Sequence, residues 1–495
     1  MSKTIKFGTD GWRAIIAEEF THANVKTVTH ALARTFEPEK KPRQKIYIGY
    51  DNRFMADDFA KTAAKVLSTY DYEARLIPHP VSSPWLSFIT WKEKSPFGVM
   101  ITASHNPAEY CGFKVKGSFG GSIPEARAKQ IEESLEIVLA NGDALGSRPA
   151  SGPVKLKSFS DFKLDIQTPY IQYLQSHLDM PLIKKSKGRV LFDVMYGSGS
   201  PTVSAFFGRS KSRLNVETLH DRRDPLFGGL HPEPIEEYLG DLKKAVKDSK
   251  CLAGFALDGD ADRLGLVDDK GVYLTPQQAF ALMLHYLAAE KKLTGKVVQA
   301  VSLGYLSERI AKDHNLPFEE VPVGFKYVAE KILEGGVLAG GEESGGYAVG
   351  RTNTKTKYGS ILPERDGFFS AMLLLEMILR LNKPLSQILQ DLQKKYGASC
   401  YLRNDVRLHK PIEDKTLFIE KIKKKLPSKW GTSKIAELRT LDGLKIVLED
   451  GSWILIRPSG TEPLLRTYAE FSTAALAKDA LERIGKIIET AGGSK

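Results

Sequence analysis

The sequence predicts an α/β protein that ends in a smaller α+β domain. Over most of the 495 residues, short apolar runs rich in branched side chains alternate with segments of helical spacing. Strands with helices between them are typical of α/β units with largely parallel sheets. After a polar stretch at 395–400, closely spaced short strands precede a single helix, which indicates a different type of domain.

Five apolar runs before residue 395 are interpreted as strands of these units, and each ends near Gly, Asp or Ser. They cover residues 45–51, 98–102, 189–194, 252–257 and 337–340. Helical spacing is clear at 56–70, shortly after the first of these strands. In the C-terminal part, strands are predicted at 444–448, 453–456 and 465–470, and a helix at 474–491.

Polar stretches separate the units and mark the expected domain boundaries. Length alone predicts roughly three or four domains of about 100–200 residues each. The polar stretches lie at 142–157, 268–271 and 395–400. We therefore expect domains at 1–155, 156–270, 271–395 and 396–495.

Composition limits the class of protein. A hydrophobic fraction of 42% can fill several cores and excludes a disordered or collagen-like chain. The three cysteines, Cys111, Cys251 and Cys400, are too far apart for a disulfide framework or a four-thiolate zinc site, which favours a reducing compartment. The N-terminus has no apolar signal region, and the longest apolar stretch, 368–379, contains Glu376 and is too short for a bilayer. We expect a soluble cytoplasmic protein with no membrane partner and a buried helix at 368–379.

The net charge is +11, from 71 Lys and Arg against 60 Asp and Glu. A nucleic-acid-binding protein is one interpretation, and its binding would weaken steeply with salt. The positive charges are scattered, however, and the densest cluster fits the solvated face of an amphipathic helix: Lys421, Lys423, Lys424 and Lys425. A basic surface also attracts dianionic small molecules, so charge alone does not decide between these partners.

The first loop that could carry chemistry, Thr102-Ala-Ser-His-Asn-Pro107, directly follows a predicted strand. In parallel sheets, ligands bind beyond the carboxyl ends of the strands, so Ser104 is suited to act as a nucleophile with His105 beside it. Pro107 keeps Asn106 extended and stops a helix from starting at once. The loop is not a Gly-x-Ser-x-Gly elbow, which disfavours acyl hydrolysis, and an ordinary turn is the alternative.

The second loop, Asp258-Gly-Asp-Ala-Asp-Arg263, also follows an apolar strand. Its three carboxylates alternate along the loop and can converge on one hard cation such as Mg²⁺. An EF-hand is excluded because Arg263 stands where the loop needs Gly, and Asp269 where it needs Glu. A solvated acidic turn is one alternative. A phosphatase with an aspartyl-phosphate at Asp258 or Asp260 is another, although it leaves the first loop unexplained.

Two further loops contain groups that bind sugars and phosphates. In the glycine-rich stretch 340–346, the Glu342 carboxylate and the Ser344 hydroxyl are spaced to bind neighbouring sugar hydroxyls. The fourth loop, Arg457-Pro-Ser-Gly-Thr461, combines a guanidinium, two hydroxyls and a glycine, and Arg466 follows it. This set suits a phosphate dianion, although it is not a Walker loop. A simple turn is the alternative for each.

The order and spacing of the four loops resemble the α-D-phosphohexomutase superfamily along nearly the whole chain. The resemblance includes the N-terminal motif Phe7-Gly-Thr-Asp-Gly-Trp-Arg13 and the segment Gly112-Phe-Lys114 after the first loop. Asp224-Pro-Leu-Phe227 and His231-Pro-Glu-Pro234 are also similar to that superfamily. The resemblance implies three Rossmann-like α/β domains and a C-terminal α+β domain of the TATA-box-binding-protein-like type around a central cleft.

The resemblance also implies a reaction, the transfer of phosphate between O1 and O6 of a hexose. Ser104 would carry the phosphate at rest, and its phosphoryl oxygen would bind Mg²⁺ together with Asp258, Asp260 and Asp262. A hexose 1,6-bisphosphate would be the intermediate and activator, and it would reorient before its other phosphate returns to Ser104. The partner would be a phosphosugar and not a nucleic acid, and the protein a monomer or weak dimer.

The resemblance assigns roles to further residues. Near the phosphoserine it implies Arg13, His105, Lys114 and Arg263, with Lys114 as a candidate acid or base. Glu342 and Ser344 would bind the 3- and 4-hydroxyls of the sugar. The remaining substrate-binding residues would be Lys326, Arg457, Ser459, Gly460, Thr461 and Arg466.

The glycine-rich stretch 340–346, called the sugar loop below, indicates the subfamily. Its Glu-Glu-Ser sequence is similar to the phosphoglucomutase pattern, because Glu343 and Gly346 replace the Met and His of the dual phosphomannomutase/phosphoglucomutase type. Gly324-Phe-Lys326 also resembles the phosphoglucomutase sequence Gly-Trp-Lys. We therefore expect glucose 1-phosphate as the principal substrate, with a phosphomannomutase or dual-specificity enzyme as the alternative.

Overall fold

Four sheets follow one another along the chain, and helices flank each of them. The computed structural model describes the following residues: 5–8, 10–39, 44–141, 167–210, 212–349, 362–408, 412, 414–458 and 464–493. None of the helices in these ranges is long and apolar enough to cross a membrane.

The first sheet has five strands: β1 (Trp12–Ile15), β2 (Lys45–Tyr50), β3 (Glu73–Leu76), β4 (Phe97–Ile101) and β5 (Tyr110–Gly117). Their order is β1-β5-β4-β2-β3, in which β3, β2 and β4 are parallel, β5 is antiparallel to β4, and β1 is antiparallel to β5. The helices of this domain are α1 (His22–Phe36), α2 (Ala56–Thr69), α3 (Ser83–Lys92) and α4 (Glu125–Asn141).

The second sheet also has five strands: β6 (Arg189–Asp193), β7 (Asn215–Leu219), β8 (Ala253–Leu257), β9 (Leu264–Val267) and β10 (Tyr273–Leu274). Their order is β10-β9-β8-β6-β7, with β7, β6 and β8 parallel. The helices are α5 (Gln167–Ser176), α6 (Met180–Lys185), α7 (Ser200–Ser210) and α8 (Gly240–Asp248).

The third sheet has four strands: β11 (Lys296–Ala300), β12 (Phe318–Val321), β13 (Val337–Gly341) and β14 (Tyr347–Val349). Their order is β12-β11-β13-β14, with β12, β11 and β13 parallel. The helices are α9 (Pro276–His285), α10 (Leu306–Asp313), α11 (Phe325–Glu334), α12 (Gly367–Leu381) and α13 (Leu385–Tyr396).

The fourth sheet is antiparallel and contains β15 (Cys400–Arg407), β16 (Lys429–Trp430), β17 (Ser433–Arg439), β18 (Leu444–Leu448), β19 (Trp453–Pro458) and β20 (Leu464–Phe471). Their order is β15-β20-β19-β18-β17-β16, and the helices are α14 (Lys415–Lys423) and α15 (Ala474–Ile488). The expected C-terminal α+β domain is therefore confirmed. In the lysine cluster, Lys421, Lys424 and Lys425 are exposed, as expected for a solvated face.

The first three sheets share one arrangement: three parallel strands followed by an antiparallel strand, beyond which β1 and β10 form the edges of the first and second sheets. They are mixed, whereas the strand pattern predicted largely parallel sheets. The reason is the short connections at 102–109, 258–263 and 342–346. A parallel crossover needs about a dozen or more residues, so each of these chains returns as a hairpin.

The expected buried helix is confirmed as α12, whose side chains are buried from Gly367 to Ile378. It packs against β8, β9 and β14, and so links the second and third domains. The Glu376 carboxylate inside this helix accepts hydrogen bonds from the Asp179 N–H, the Tyr286 hydroxyl and Lys291 Nζ, at 2.6, 2.6 and 2.8 Å. A charge in an apolar helix is tolerated because it is paired in this way.

A buried arginine fixes the loop that follows β4. Arg53 donates to the backbone carbonyls of Ser104, Asn106 and Pro107 at 2.7 Å each, and to Tyr110 at 2.9 Å. Its Nε also donates to Oδ2 of Asp51 at 3.1 Å, and the same carboxylate oxygen accepts from the hydroxyl of a residue of the loop, Thr102. The fully buried ion pair of Asp51 and Arg53 therefore fixes the conformation of this loop.

A buried carboxylate joins the third and fourth domains. Oε2 of Glu470 in β20 accepts from the Tyr305 N–H at 2.9 Å and from Trp453 Nε1 at 2.7 Å, and Oε1 accepts from the Ser399 hydroxyl. Burial raises the pKa of Glu470 although these donors favour the carboxylate. The folded chain therefore holds a proton at this site more tightly than the unfolded chain does.

Arg53→Met should lower the free energy of unfolding by about 3–5 kcal/mol, because it leaves Asp51 buried without its cation. Amide exchange across 102–110 should also become faster. Urea unfolding and hydrogen-exchange mass spectrometry measure the two effects. Arg127→Met is the control, since Arg127 pairs with the exposed Glu39 at 2.8 Å and its loss should cost no more than about 1 kcal/mol. Equal losses for both variants would contradict the role of Arg53.

Glu470→Gln should become more stable relative to the wild type as pH rises. A raised carboxyl pKa contributes stability below the unfolded value, near 4.3, and that contribution is lost as pH rises through the folded pKa. The gain of the variant over the wild type in free energy of unfolding should reach about 1.4 kcal/mol for each unit by which the pKa of Glu470 is raised. Glutamine can accept from Tyr305 and Trp453 and donate to Ser399.

Urea unfolding at pH 4.5 and pH 8 tests this expectation. Glu482→Gln, at an exposed position of α15, is the control and should show no such pH dependence. A Glu470→Gln variant that tracks the wild type at both pH values would refute the raised pKa.

Candidate active site

Three loops meet where the three α/β domains adjoin. They connect β4 to β5, β8 to β9 and β13 to β14, so each is the hairpin that follows the third parallel strand of its sheet. The first contains Ser104, the second Asp258, Asp260 and Asp262, and the third Glu342. The structure therefore brings together residues that are more than 200 positions apart in sequence.

Ser104 is fully buried beside the aspartate loop. Its hydroxyl donates to Oδ2 of Asp258 at 2.8 Å, and its N–H donates to the Thr102 hydroxyl at 2.8 Å. The backbone of Ser104 has a φ of +55°, a left-handed conformation that is uncommon for a residue with a side chain. Nδ1 of His105 lies 3.4 Å from the serine oxygen. The loop thus aims the hydroxyl directly at the carboxylates.

The three aspartates form a preorganised acidic cluster. All are fully buried, and one carboxylate oxygen from each lies within 4.8 Å of the others. Oδ1 of Asp258 accepts the backbone N–H groups of Asp262 and Arg263, at 2.9 and 3.1 Å. Within the described part of the chain, Oδ1 of Asp260 and Oδ1 of Asp262 have no hydrogen-bond partner. Buried carboxylate oxygens without partners fit a hard divalent cation, which would satisfy both.

Two cations hold these carboxylates in place. Lys114 Nζ lies 2.7 Å from Asp10, 2.9 Å from Asp260 and 3.5 Å from Asp262. Arg365 donates to Asp262 at 2.6 Å, to Asp10 at 2.9 Å and to Glu342 at 3.1 Å. The two side chains connect the acidic groups of all three α/β domains.

The pKa values of the cluster diverge. Burial and the neighbouring Asp262 and Asp260 carboxylates hold the pKa of Asp258 well above its usual value. For Asp260, burial acts in the same direction, but Lys114 and the Ser83 hydroxyl outweigh it and lower the pKa. The carboxylates likewise outweigh desolvation and raise the pKa of Lys114. Lys114 therefore keeps its proton in this arrangement, which suits a fixed cation and a weak acid.

Three further sequence-predicted residues line a cleft above this cluster: Arg13, His105 and Arg263. Arg13 donates to the Asn106 side chain at 2.7 Å, and Arg263 lies 3.9 Å from Asp262 and 4.0 Å from Asp258. Burial and the cations of Arg263 and Arg13 hold the pKa of His105 well below its usual value. The imidazole is therefore neutral near pH 7.

The sugar loop lines the same cleft through Glu342, Glu343 and Ser344. Oε1 of Glu342 accepts the Ser344 hydroxyl at 2.5 Å and is held by Arg365, so the two predicted sugar ligands are adjacent. Gly345 has a φ of +82°, and a Cβ there would lie 2.6 Å from the Leu264 carbonyl. Only glycine fits this close approach to the aspartate hairpin.

The cleft has a volume of about 620 Å³, within the range of small-molecule sites. Among the described residues that line it, seven are Lys or Arg and four are Asp or Glu, which favours an anionic ligand. Lys326 lines it and pairs with Glu125 across the first and third domains. Arg466 and Arg457 line it from the fourth domain, and Arg457 Nε donates to Asp442 at 2.7 Å. Ser459, Gly460 and Thr461 lie outside the described residues.

Sequence reasoning missed Asp10, Asp51, Arg53, Ser83 and Arg365. Asp51 ends the predicted strand 45–51, and the strand-end rule that pointed to Asp258 would have indicated it too. Arg365 belongs to three consecutive charged residues directly before the apolar helix α12, which is a recognisable signal. Ser83 carries no such signal, because its only distinguishing feature is its bond to Asp260 at 2.5 Å.

Comparison with known proteins agrees with this architecture. Four models of phosphoglucomutase/phosphomannomutase domains match in order: the alpha/beta/alpha domains I, II and III at residues 4–139, 168–271 and 275–396, and the C-terminal domain at 406–486. A phosphoglucosamine/phosphogalactosamine mutase from Sulfurisphaera tokodaii is 30% identical over 98% of this chain and 99% of its own. A phosphoglucomutase/phosphomannomutase from Thermococcus kodakarensis is 28% identical over 98% of each.

Solved structures show the same fold. The crystal structure of a proposed phosphomannomutase from Thermus thermophilus has a TM-score of 0.81 and 29% identity, and covers 99% of this chain and 100% of its own. The open form of the Paramecium phosphoglucomutase parafusin has a TM-score of 0.79 at 21% identity and covers 100% of this chain and 97% of its own. The chain therefore belongs to the phosphoglucomutase/phosphomannomutase family.

Proposed function

We propose that this phosphohexomutase interconverts glucose 1-phosphate and glucose 6-phosphate through a phosphoserine at Ser104. The observation that carries the proposal is the Ser104 hydroxyl, held 2.8 Å from Asp258, next to His105 and Arg263 of a basic cleft. Phosphoryl transfer depends mainly on positioning and charge neutralisation, and the acidic cluster is built for both. The partner is a small phosphosugar, and the proposed location is the cytoplasm.

Mg²⁺ is the proposed cofactor. Asp258, Asp260 and Asp262 would hold it together with an oxygen of the phosphorylated Ser104, and the two unpartnered Oδ1 atoms support this assignment. When bound, the ion would neutralise charge on the phosphoryl oxygens. Lys114 and Arg365 donate to the Oδ2 atoms of Asp260 and Asp262, respectively. These bonds fix the orientation of the two Oδ1 atoms.

The residues around Ser104 would perform the transfer. Arg13 and Arg263 are placed to neutralise the phosphoryl group as it moves between Ser104 and the sugar hydroxyl. His105, neutral and 3.4 Å from the serine oxygen, is a candidate to take or give the proton. Lys114 would act as an electrostatic anchor, and as an acid only when its carboxylate partners are neutralised.

Residues of the third and fourth domains would hold the substrate. Glu342 and Ser344 would bind the 3- and 4-hydroxyls, and Lys326 would contribute a further cation beside them. Arg457, Ser459, Gly460, Thr461 and Arg466 would hold the phosphate that does not react. A hexose 1,6-bisphosphate, formed by the first transfer, would turn end for end and return its other phosphate to Ser104.

The choice of sugar rests on the sugar loop and the relatives. The Glu-Glu-Ser sequence at 342–344 supports glucose, with mannose as the alternative. A second candidate is glucosamine, which the names of two relatives support: the Sulfurisphaera tokodaii mutase and a phosphoglucosamine mutase from Caldanaerobacter subterraneus, 29% identical over 98% of this chain. The acidic Glu343 on the cleft wall is also compatible with a cationic amino sugar.

The purified protein should carry a phosphate on Ser104 that is stable to acid and to hydroxylamine. Intact-mass and peptide mass spectrometry measure it. Ser104→Ala should lose essentially all turnover and still bind sugar phosphate, since the proposed phosphate ligands Arg457 and Arg466 come from the fourth domain. Ser428→Ala is a control, because this serine is exposed beside β16 of the fourth domain, whereas Ser104 is buried against Asp258. A hydroxylamine-labile phosphate on Asp258 or Asp260 would instead identify a phosphatase.

Glucose 1-phosphate should be turned over faster than mannose 1-phosphate, by a modest factor. Glu342 and Ser344 would contact hydroxyls that the two sugars share, and one neutral hydrogen bond contributes about 0.5–1.5 kcal/mol, or about 2- to 13-fold. Values of kcat/KM for glucose, mannose, glucosamine and ribose 1-phosphates, measured side by side, test this. A clear preference for glucosamine or mannose would change the subfamily and keep the mechanism, whereas a preference for ribose would reject the hexose assignment.

A further inference from the structure

A turn in the second domain contacts the aspartate loop on one side and Asn52 of the first domain on the other. It comprises residues 195–198, after β6 and before α7. Met195 and Tyr196 both have positive φ, +46° and +56°. Asp193 Oδ1 accepts the Met195 N–H at 2.9 Å, and the His220 carbonyl accepts the Tyr196 N–H at 2.8 Å. Strained conformations held in this way are concentrated at functional positions.

Asn52 connects this turn to the first domain. Its side-chain Nδ2 donates to the carbonyl oxygens of Tyr196 and Gly197, at 2.6 and 3.0 Å. The residue is only 7% exposed, so water does not readily replace these bonds. In sequence it lies between Asp51 and Arg53, which fix the loop of Ser104. Any movement of the turn is therefore transmitted to the support of the serine.

The other side of the turn touches the backbone of the aspartate loop. The Ser198 N–H and hydroxyl donate to the Gly259 carbonyl, at 2.9 and 3.2 Å. A Cβ on Gly197 would lie 2.8 Å from that carbonyl oxygen, and a Cβ on Gly259 would lie 2.4 Å from the Ser104 carbonyl oxygen. Three backbone segments thus stack directly, with no side chain between them.

We infer that Asn52 is a positioning residue that sets the separation of Ser104 from the aspartates, without contact to the substrate. The inference rests on the proposed function of Ser104. The direct bond between the Ser104 hydroxyl and Asp258 disappears once that oxygen carries phosphate. The bridge through Asn52, the turn and Gly259 is built from groups that take no part in the transfer. It therefore maintains the same separation in every state of the serine.

Asn52→Ala tests this inference. We expect kcat to fall about ten- to a hundredfold, since a small misplacement of reacting groups has effects of this size. The dissociation constant for Mg²⁺, measured by titration calorimetry, should rise about tenfold, while KM for the sugar phosphate stays within about twofold. A merely structural role would lower the thermal unfolding temperature and leave the Mg²⁺ dissociation constant unchanged.

Ser198→Ala tests the other end of the bridge and decides the question if Asn52→Ala does not fold. It removes one of two bonds to Gly259, so the Mg²⁺ dissociation constant should rise in the same direction by a smaller factor. Asn215→Ala is the matched control, because Asn215 is exposed in β7 and its side chain bonds to Glu217. It should behave like the wild type.

Two outcomes would overturn the inference: Mg²⁺ affinity unchanged in the bridge variants, or a loss of sugar phosphate binding equal to the loss of kcat. If the wild-type protein carries no phosphoserine or shows no mutase turnover, the proposed function is rejected instead. The calorimetric comparison of the variants remains informative in that case, because it does not depend on turnover. The two failures are therefore distinguishable.

Discussion

The junction of the α/β domains depends on the neutralisation of a group of buried carboxylates. Asp10, Asp260, Asp262 and Glu342 come from three separate domains and would repel one another in a dry interior. Lys114 and Arg365 prevent this, since each of them pairs with carboxylates of more than one domain. Those ion pairs fix the relative positions of the hairpins, and the cleft exists only where the hairpins meet.

The site also depends on repetition of one structural unit. In each α/β domain the connection after the third parallel strand is too short to cross the sheet, and it returns as a hairpin at the carboxyl end. The same position carries a serine in the first domain, aspartates in the second and a glutamate in the third. Under the proposed function, one backbone arrangement would deliver a nucleophile, a cation site and a hydroxyl ligand to a common centre, and only the residue types differ.

Much of the fold and of the site could be predicted from the sequence. The strand-end loops with Ser104 and with Asp258 were visible because a buried strand and a cluster of polar residues are both local patterns. Arg53 was not visible, because a single arginine carries no pattern and its carbonyl partners lie about 50 residues away. Arg365 stands in a charged run before the apolar helix α12, but its partner Asp10 lies 355 residues away, so the sequence did not indicate what it pairs with. Such pairings arise from the docking of domains, which hydrophobic periodicity does not encode.

The close contact at Gly345 has a consequence for substrate selection. The Leu264 N–H donates to the Gly345 carbonyl at 2.9 Å, and the Gly367 N–H donates to the Ala261 carbonyl at 3.2 Å. The second and third domains are thus joined backbone to backbone beside the site, and the gap between the aspartates and Glu342 is set by main-chain atoms. Under the proposed reaction, this fixed distance would select substrates by their length. A sugar would be accepted when the distance from its hydroxyls to its phosphate-bearing carbon fits the gap in both orientations. The length of the molecule would therefore be selected more strictly than the configuration of its ring substituents.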